Sequence, residues 1–262
     1  MTPKPVVFAL ILFLTLVTGC GEDPPTAQKQ GTQPAAAPPD AESVQNQAAD
    51  PSTVWPFVAD DTSSPSLADS LTARNFLLIF DGSGSMQKND CAGNSSKINI
   101  AKEAVVAWSK SVPADANLGL YAFHSNEVTA LPLSSGNRVA FMDNVMHIAA
   151  GGRTPLSQAM LQSYKALTAQ GRRQLGYGEY TIVVVTDGIA DSPDQLRKVV
   201  SMILEQSPIN IYSIGFCIGS QHSLNQPGRT LYKSANNPDE LNKGLQEVLA
   251  ESEIFDESAF SQ

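Results

Sequence analysis

Residues 76–85 read FLLIFDGSGS and join an apolar run to a polar turn that contains two glycines. The apolar half is typical of a strand that is buried on both faces. Glycine permits backbone angles that other residues avoid, so the chain can reverse directly after the strand. We therefore expect the oxygens of Asp81, Ser83 and Ser85 to converge on one point. Such a set of carboxylate and hydroxyl oxygens suits a hard cation such as Mg²⁺.

Two more segments distinguish a cation site from an ordinary polar turn, which residues 81–85 alone would also fit. Thr154 stands directly before Pro155, a residue favoured at the start of a helix. A second buried strand is predicted over residues 179–186, and it is followed at once by Asp187. No cysteine or histidine is spaced with these donors, so zinc and copper are not favoured.

The five candidate donors resemble the metal-ion-dependent adhesion site of the von Willebrand factor A domain family, which uses Asp-x-Ser-x-Ser, a distant Thr and a distant Asp. The matching residues are Asp81, Ser83, Ser85, Thr154 and Asp187. The resemblance covers roughly residues 74–252 and departs from many relatives at Arg153, which adds a cation beside the site. It implies a bound Mg²⁺, with Mn²⁺ or Ca²⁺ as alternatives. The three hydroxyls are implied to contact the metal directly, and the two carboxylates to act largely through water or hydrogen bonds.

Strands and helices alternate along the chain. We predict strands over residues 74–80, 118–123, 179–186, 209–217 and 230–235, a short edge strand over 128–133, and helices over 98–111, 139–148, 155–169, 192–205 and from 239 onward. This order predicts an α/β fold: a three-layer, doubly wound, mostly parallel sheet with helices on both faces and one short antiparallel edge strand. In such sheets ligands bind beyond the carboxyl ends of the strands, where Asp81 and Asp187 stand.

The first nineteen residues predict a signal peptide, because Lys4 precedes an apolar run over residues 6–17 that is too short to span a bilayer. Residues 16–20, LVTGC, resemble the bacterial lipoprotein cleavage box, which implies cleavage before Cys20 and its acylation. An ordinary secretory signal that contains a cysteine is the alternative. Several acyl chains anchor a protein stably. We expect the protein to lie in the bacterial cell envelope. In a Gram-negative source we expect it at the outer membrane, facing the periplasm, since Gly21 replaces the Asp that signals inner-membrane retention.

The remaining composition predicts a tether, one domain and a tail. Residues 20–72 begin with the lipidated cysteine and are rich in Pro, Ala, Gln, Asp and Ser, which predicts disorder. The apolar cluster at 55–58 interrupts this tether, and it either docks on the domain or a partner or stays solvated. Residues 73–253 predict one von Willebrand factor A domain, expected to be monomeric in isolation, and residues 254–262 a C-terminal tail.

The charge and the cysteines give further constraints. The net charge of -9 becomes -10 once residues 1–19, which contain one lysine, are removed. An acidic surface disfavours nucleic acid and anionic lipid headgroups as partners. Cys91 and Cys217 are expected at the same end of the sheet, and either a disulfide between them or two separate thiols fits the sequence.

These features predict a lipid-anchored binding or adhesion module rather than an enzyme, with a partner protein or peptide that offers an exposed Asp or Glu carboxylate. The alternative is a metal-dependent hydrolase or phosphatase on a similar sheet. Ser83 has no glycine two residues before it and two residues after it, so the nucleophile-elbow pattern fails. An aspartate-nucleophile phosphatase would want a second carboxylate where Ser83 stands and a lysine nearby. Hydroxyl ligands tune a cation without offering a base, so the donor set favours binding.

Overall fold

The computed structural model describes residues 54–57 and 65–252, so the predicted signal peptide, Cys20 and the C-terminal tail lie outside the described residues. The strands are β1 (Arg74–Gly82), β2 (Asn117–His124), β3 (Glu127–Ser134), β4 (Glu179–Thr186), β5 (Asn210–Phe216) and β6 (Leu231–Ala235). The helices are α1 (Lys97–Ser111), α2 (Arg138–His147), α3 (Leu156–Arg173), α4 (Pro193–Gln206) and α5 (Pro238–Ser252), with a short 3₁₀ helix at Gly84–Gln87. None of the described helices is long and apolar enough to cross a membrane.

The six strands form one sheet in the order β3-β2-β1-β4-β5-β6. β3 runs antiparallel to β2, and every other neighbouring pair is parallel. The predicted fold class, a doubly wound and mostly parallel sheet with one antiparallel edge strand, is confirmed. The chain leaves β1 toward β2 on one side and returns to β4 on the other. A crevice therefore opens between the carboxyl ends of β1 and β4, the usual place for a ligand in such a sheet.

The side chains of β1 alternate between the two helical layers. Phe76, Leu78 and Phe80 pack in the cluster that contains α1, α2 and α5. Leu77 and Ile79 pack on the other face, in the cluster that contains α3 and α4. Because both faces of β1 are covered, the strand is apolar at every position from Phe76 to Phe80, as the uninterrupted run of apolar residues indicated.

Helix α3 differs from its predicted bounds of 155–169. Pro155 is the residue before the helix rather than its first residue, and the helix continues to Arg173. Gly171 lies inside the last turn of α3. A Cβ atom at Gly171 would lie 2.6 Å from the ring of Trp55. The glycine therefore does not end the helix but allows a tryptophan to approach its backbone.

The apolar cluster in the predicted tether docks on the domain. Trp55 donates a hydrogen bond from its indole Nε1 to Thr168 Oγ1 at 3.0 Å, and its ring meets Tyr180 edge-on with the centroids 4.7 Å apart. Arg172 Nε donates to the Pro56 carbonyl at 3.0 Å. These contacts lie at the amino end of β4, opposite the end where Asp187 follows the strand.

The loop before α1 and the loop after β5 are joined by a disulfide between Cys91 and Cys217, whose Cα atoms are 6.2 Å apart. The two cysteines are separated by 126 residues of sequence. In the chain-entropy model, a cross-link that closes so long a loop stabilises the fold by about 4 to 5 kcal/mol. Both loops lie at the carboxyl end of the sheet, so the bond fixes the surroundings of the candidate site.

Replacing Trp55 with alanine should lower the free energy of unfolding by about 1 to 3 kcal/mol, because the change removes an aromatic contact and a hydrogen bond at a half-buried site. Urea unfolding followed by circular dichroism measures this loss. Phe57→Ala is the matched control, since Phe57 is 37% exposed, and it should cost less than about 1 kcal/mol. Equal losses in the two variants would show that residues 54–57 are not held as described.

Candidate metal centre

Asp81 is placed near the end of β1 with its carboxylate fully buried. The backbone N–H of Ser83 donates to its Oδ1 at 2.8 Å, and the hydroxyl of Thr186 donates to its Oδ2 at 2.5 Å. Burial raises the pKa of Asp81 to about 6, against the lowering effect of the hydrogen bonds from Ser83 and Thr186; repulsion from Asp187 raises it slightly further. Both oxygens of this carboxylate are therefore occupied by donors.

The two serines of the turn connect Asp81 to Asp187. Ser85 donates its hydroxyl proton to Asp187 Oδ1 at 2.6 Å, and Ser83 Oγ lies 3.0 Å from Ser85 Oγ. Since the proton of Ser85 goes to Asp187, we assign Ser83 as the donor to Ser85. Lys97 Nζ donates to the second oxygen of Asp187 at 2.8 Å. Asp187, like Asp81, thus has a donor on each oxygen.

The backbone hydrogen bonds of Gly151 and Gly152 place Thr154 beside the two serines. Gly151 donates its backbone N–H to the Gly82 carbonyl at 2.8 Å, and Gly84 donates to the Gly152 carbonyl at 3.1 Å. Gly152 has a φ of +80°, a conformation that residues with side chains rarely adopt. These bonds join the loop before α3 to the turn after β1 and so bring Thr154 next to the serines.

Asp191 fixes the position of Thr154 from the other side. The backbone N–H of Thr154 donates to Asp191 Oδ1 at 3.1 Å, and the N–H of Asp191 donates to the Thr154 carbonyl at 3.0 Å. Arg153 Nε lies 3.2 Å from Asp191 Oδ2, although the arginine side chain is 79% exposed. The arginine expected beside the site is therefore present, but Asp191 partly neutralises it.

Three of the five donors lie close to Gly188. A Cβ atom on Gly188 would lie 3.3 Å from Ser85 Oγ, 3.5 Å from Thr154 Oγ1 and 3.8 Å from Asp81 Oδ2. Within residues 54–57 and 65–252, no three or more His, Cys, Asp or Glu side chains are grouped to hold a metal ion. A cation here would therefore depend on hydroxyl oxygens, and the neutral oxygens of two serines and a threonine beside two carboxylates fit a hard divalent cation.

Residues 76–189 match the family model of the von Willebrand factor type A domain. The match to this family model supports a relationship to the family, and the solved structures that resemble the chain share its fold. The Bacillus subtilis protein YwmD is 26% identical over 200 residues, which cover 68% of this chain and 86% of YwmD. The pilus adhesin SpaC from Lactobacillus rhamnosus GG has a TM-score of 0.56 at 14% identity, and the match covers 71% of this chain but only 31% of the adhesin. The manganese-loaded TRAP protein of Plasmodium vivax has a TM-score of 0.51 at 21% identity, over 67% of this chain and 73% of TRAP.

The five oxygen donors predicted from the sequence lie together in the structure, but the sequence analysis missed three residues that hold them. Thr186 could have been found, because it ends the strand beside Asp187 and its side chain falls next to the end of β1. Asp191 carried a weaker signal as an acidic residue shortly after that strand. Lys97 carried none, since a lysine at the start of a helix is normally solvated.

Asp81→Asn should change how the stability of the metal-free domain depends on pH. Burial raises the pKa of Asp81 from its ordinary value of 3.8 to about 6 in the folded protein, so the folded state binds more protons between these values. The free energy of unfolding should therefore fall as the pH rises from about 4 to about 6. The asparagine variant lacks this titration, and relative to wild type it should gain about 2 to 3 kcal/mol over that range.

Urea unfolding with a chelator present, at several pH values, measures the difference between the two proteins. Asp69→Asn is the control, because Asp69 is exposed and its replacement should leave the pH dependence of wild type in place. A stability difference between Asp81→Asn and wild type that stays constant from pH 4 to pH 7 would contradict a buried carboxyl group that takes up a proton on folding.

Proposed function

We propose that this chain is a lipid-anchored binding module of the bacterial cell envelope that recognises an acidic group of a protein or peptide through a divalent metal. The observation that carries the proposal is the hydrogen-bond network that joins two serines to two buried carboxylates at the carboxyl ends of β1 and β4, with Thr154 beside them. The fold likeness to a pilus adhesin and to a manganese-loaded protein supports it.

The hydrogen bonds suggest how the five residues divide their roles. Asp81 and Asp187 each have both oxygens bonded to donors, so they act by orienting and polarising their neighbours. The hydroxyl oxygens of Ser83, Ser85 and Thr154 are the groups that would hold the cation. Bound Mg²⁺, or Mn²⁺ or Ca²⁺ in its place, would supply positive charge for a carboxylate of the partner.

A cleft beside Thr154 offers room for the residues that flank such a carboxylate. Its volume is about 770 Å³, and Arg153, His124 and Gln195 are among the residues that line it. The exposed guanidinium of Arg153 places positive charge in this cleft. Because Asp191 pairs with Arg153 and Glu127 also lines the cleft, the attraction for an acidic partner would come from the bound cation rather than from the cleft.

The same contacts support binding without catalysis. A phosphatase that used Asp81 as its nucleophile would need the carboxylate to face the substrate, yet Asp81 is fully buried and hydrogen-bonded on both oxygens. His124 lies near the site, but its Nε2 is paired with Thr129 Oγ1 at 2.9 Å. We therefore propose that the module is not an enzyme.

Capture of a partner from envelope extract should require both the metal and the serines. The chain, immobilised with Mg²⁺ present, should retain a protein that is lost on adding a chelator and is not retained by Ser83→Ala plus Ser85→Ala. Ser95→Ala plus Ser96→Ala is the matched control, because it removes two hydroxyls from the loop before α1 and should leave capture intact. Partners that are indifferent to chelator and to the site variant would show that metal-mediated recognition is wrong.

The lipid anchor requires a separate test because Cys20 lies outside the described residues. In a bacterial host, the wild-type chain should incorporate labelled palmitate and sediment with membranes. Cys20→Ala should do neither, whereas Cys91→Ala plus Cys217→Ala should still do both. Unchanged membrane association of the Cys20→Ala variant would contradict anchoring by acylation.

A further inference from the structure

Lys97, the first residue of α1, is a buried lysine beside the candidate metal site. The residue is 4% exposed, and its ammonium lies 2.8 Å from Asp187 Oδ2 and 3.6 Å from the exposed Asp90. Taking an ammonium group out of water carries a large free-energy penalty, and lysine is almost never buried unless it is paired. The close contact with Asp187 is therefore what compensates its burial.

The place of Lys97 at the start of α1 does not explain why a lysine stands there. The amino end of a helix carries partial positive charge, so a cation in the first turn of α1 is disfavoured by the helix itself. α1 has no acidic residue in its first turn to offset this effect. The lysine is thus placed against the local preference of the helix, which points to a role at Asp187.

We propose that Lys97 is a positioning residue of the metal site, whose ammonium holds Asp187 as the acceptor for Ser85 and weakens cation binding until a partner carboxylate is present. This inference rests on the function proposed above. Lys97 occupies Asp187 Oδ2 while Ser85 occupies Oδ1. Each oxygen of Asp187 thus accepts one hydrogen bond, so the carboxylate is held in place from both sides.

The formal charges show why a resident ammonium matters. With Asp81 and Asp187 ionised and Lys97 charged, these three buried groups together carry one net negative charge, whereas Asp90 has a side chain that is 65% exposed and is screened by water. A divalent cation makes the site positive by one, and a partner carboxylate then brings it to neutrality. Without the lysine, the cation alone would neutralise the site and a carboxylate would leave it negative. Lys97 thus makes the complete complex with the partner, rather than the metal-loaded domain, the electrically balanced state.

Lys97→Gln separates the charge of this residue from its hydrogen bond, because the amide of glutamine can still donate to Asp187. The variant should bind Mn²⁺ at least about tenfold more tightly than wild type, since a nearby like charge is removed from a shielded site. Titration followed by the electron paramagnetic resonance of free Mn²⁺ measures the affinity, and competition extends it to Mg²⁺. Lys110→Met, an exposed lysine at the far end of α1, is the control and should match wild type.

Thermal unfolding provides a second readout. With chelator, the glutamine variant should unfold at a lower temperature than wild type, because Asp187 has lost its counter-charge. Saturating Mn²⁺ should raise its unfolding temperature by more than it raises that of wild type. If Lys97→Gln does not fold, Lys97→Met takes its place, and it should also bind Mn²⁺ more tightly than wild type.

The outcomes separate the two hypotheses. Mn²⁺ binding by wild type that is lost in Ser83→Ala plus Ser85→Ala but unchanged or weaker in the Lys97 variants would overturn the role of Lys97 and leave the metal site standing. Failure of wild type to bind Mn²⁺ at millimolar concentration would overturn both proposals. Tighter binding in the Lys97 variants, with the Lys110 control unchanged, supports the inference.

Discussion

Two carboxylates buried side by side, Asp81 and Asp187, set the requirement that the loops around them satisfy. Like charges withdrawn from water repel one another, and a buried carboxylate oxygen without a donor is costly. Each of the four oxygens has one: a backbone N–H and the Thr186 hydroxyl at Asp81, and Ser85 and Lys97 at Asp187. The turn after β1 and the start of α1 adopt conformations that supply these hydrogen-bond donors.

The sheet topology makes such an arrangement possible. β1 and β4 are neighbours in space, but α1, β2, β3, α2 and α3 lie between them in sequence. The loops that follow the carboxyl ends of these two strands therefore bring residues from distant segments together at this edge of the sheet. The bonds between Thr154 and Asp191 then join the loop before α3 to the loop before α4. A displacement of Thr154 would also displace the loop before α4, so the two loops move together.

The sequence predicted the parts of the molecule that depend on local patterns. Near-continuous apolar runs located β1 and β4, and the spacing of oxygen-bearing residues located the five donors. It could not predict Lys97 or Asp191, because their roles exist only after separate segments have packed. The same limit explains α3: Gly171 weakens a helix by local propensity, yet here it admits a tryptophan from a distant segment. Whether residues 54–57 dock depends likewise on a surface that no local pattern describes.

The docking of Trp55 bears on how a tethered module would present its site. Trp55 packs at the amino end of β4, whereas the oxygen donors gather beyond the carboxyl end of the same strand. The two sets of contacts thus lie at opposite ends of the same strand, so the docking of residues 54–57 leaves the oxygen donors uncovered.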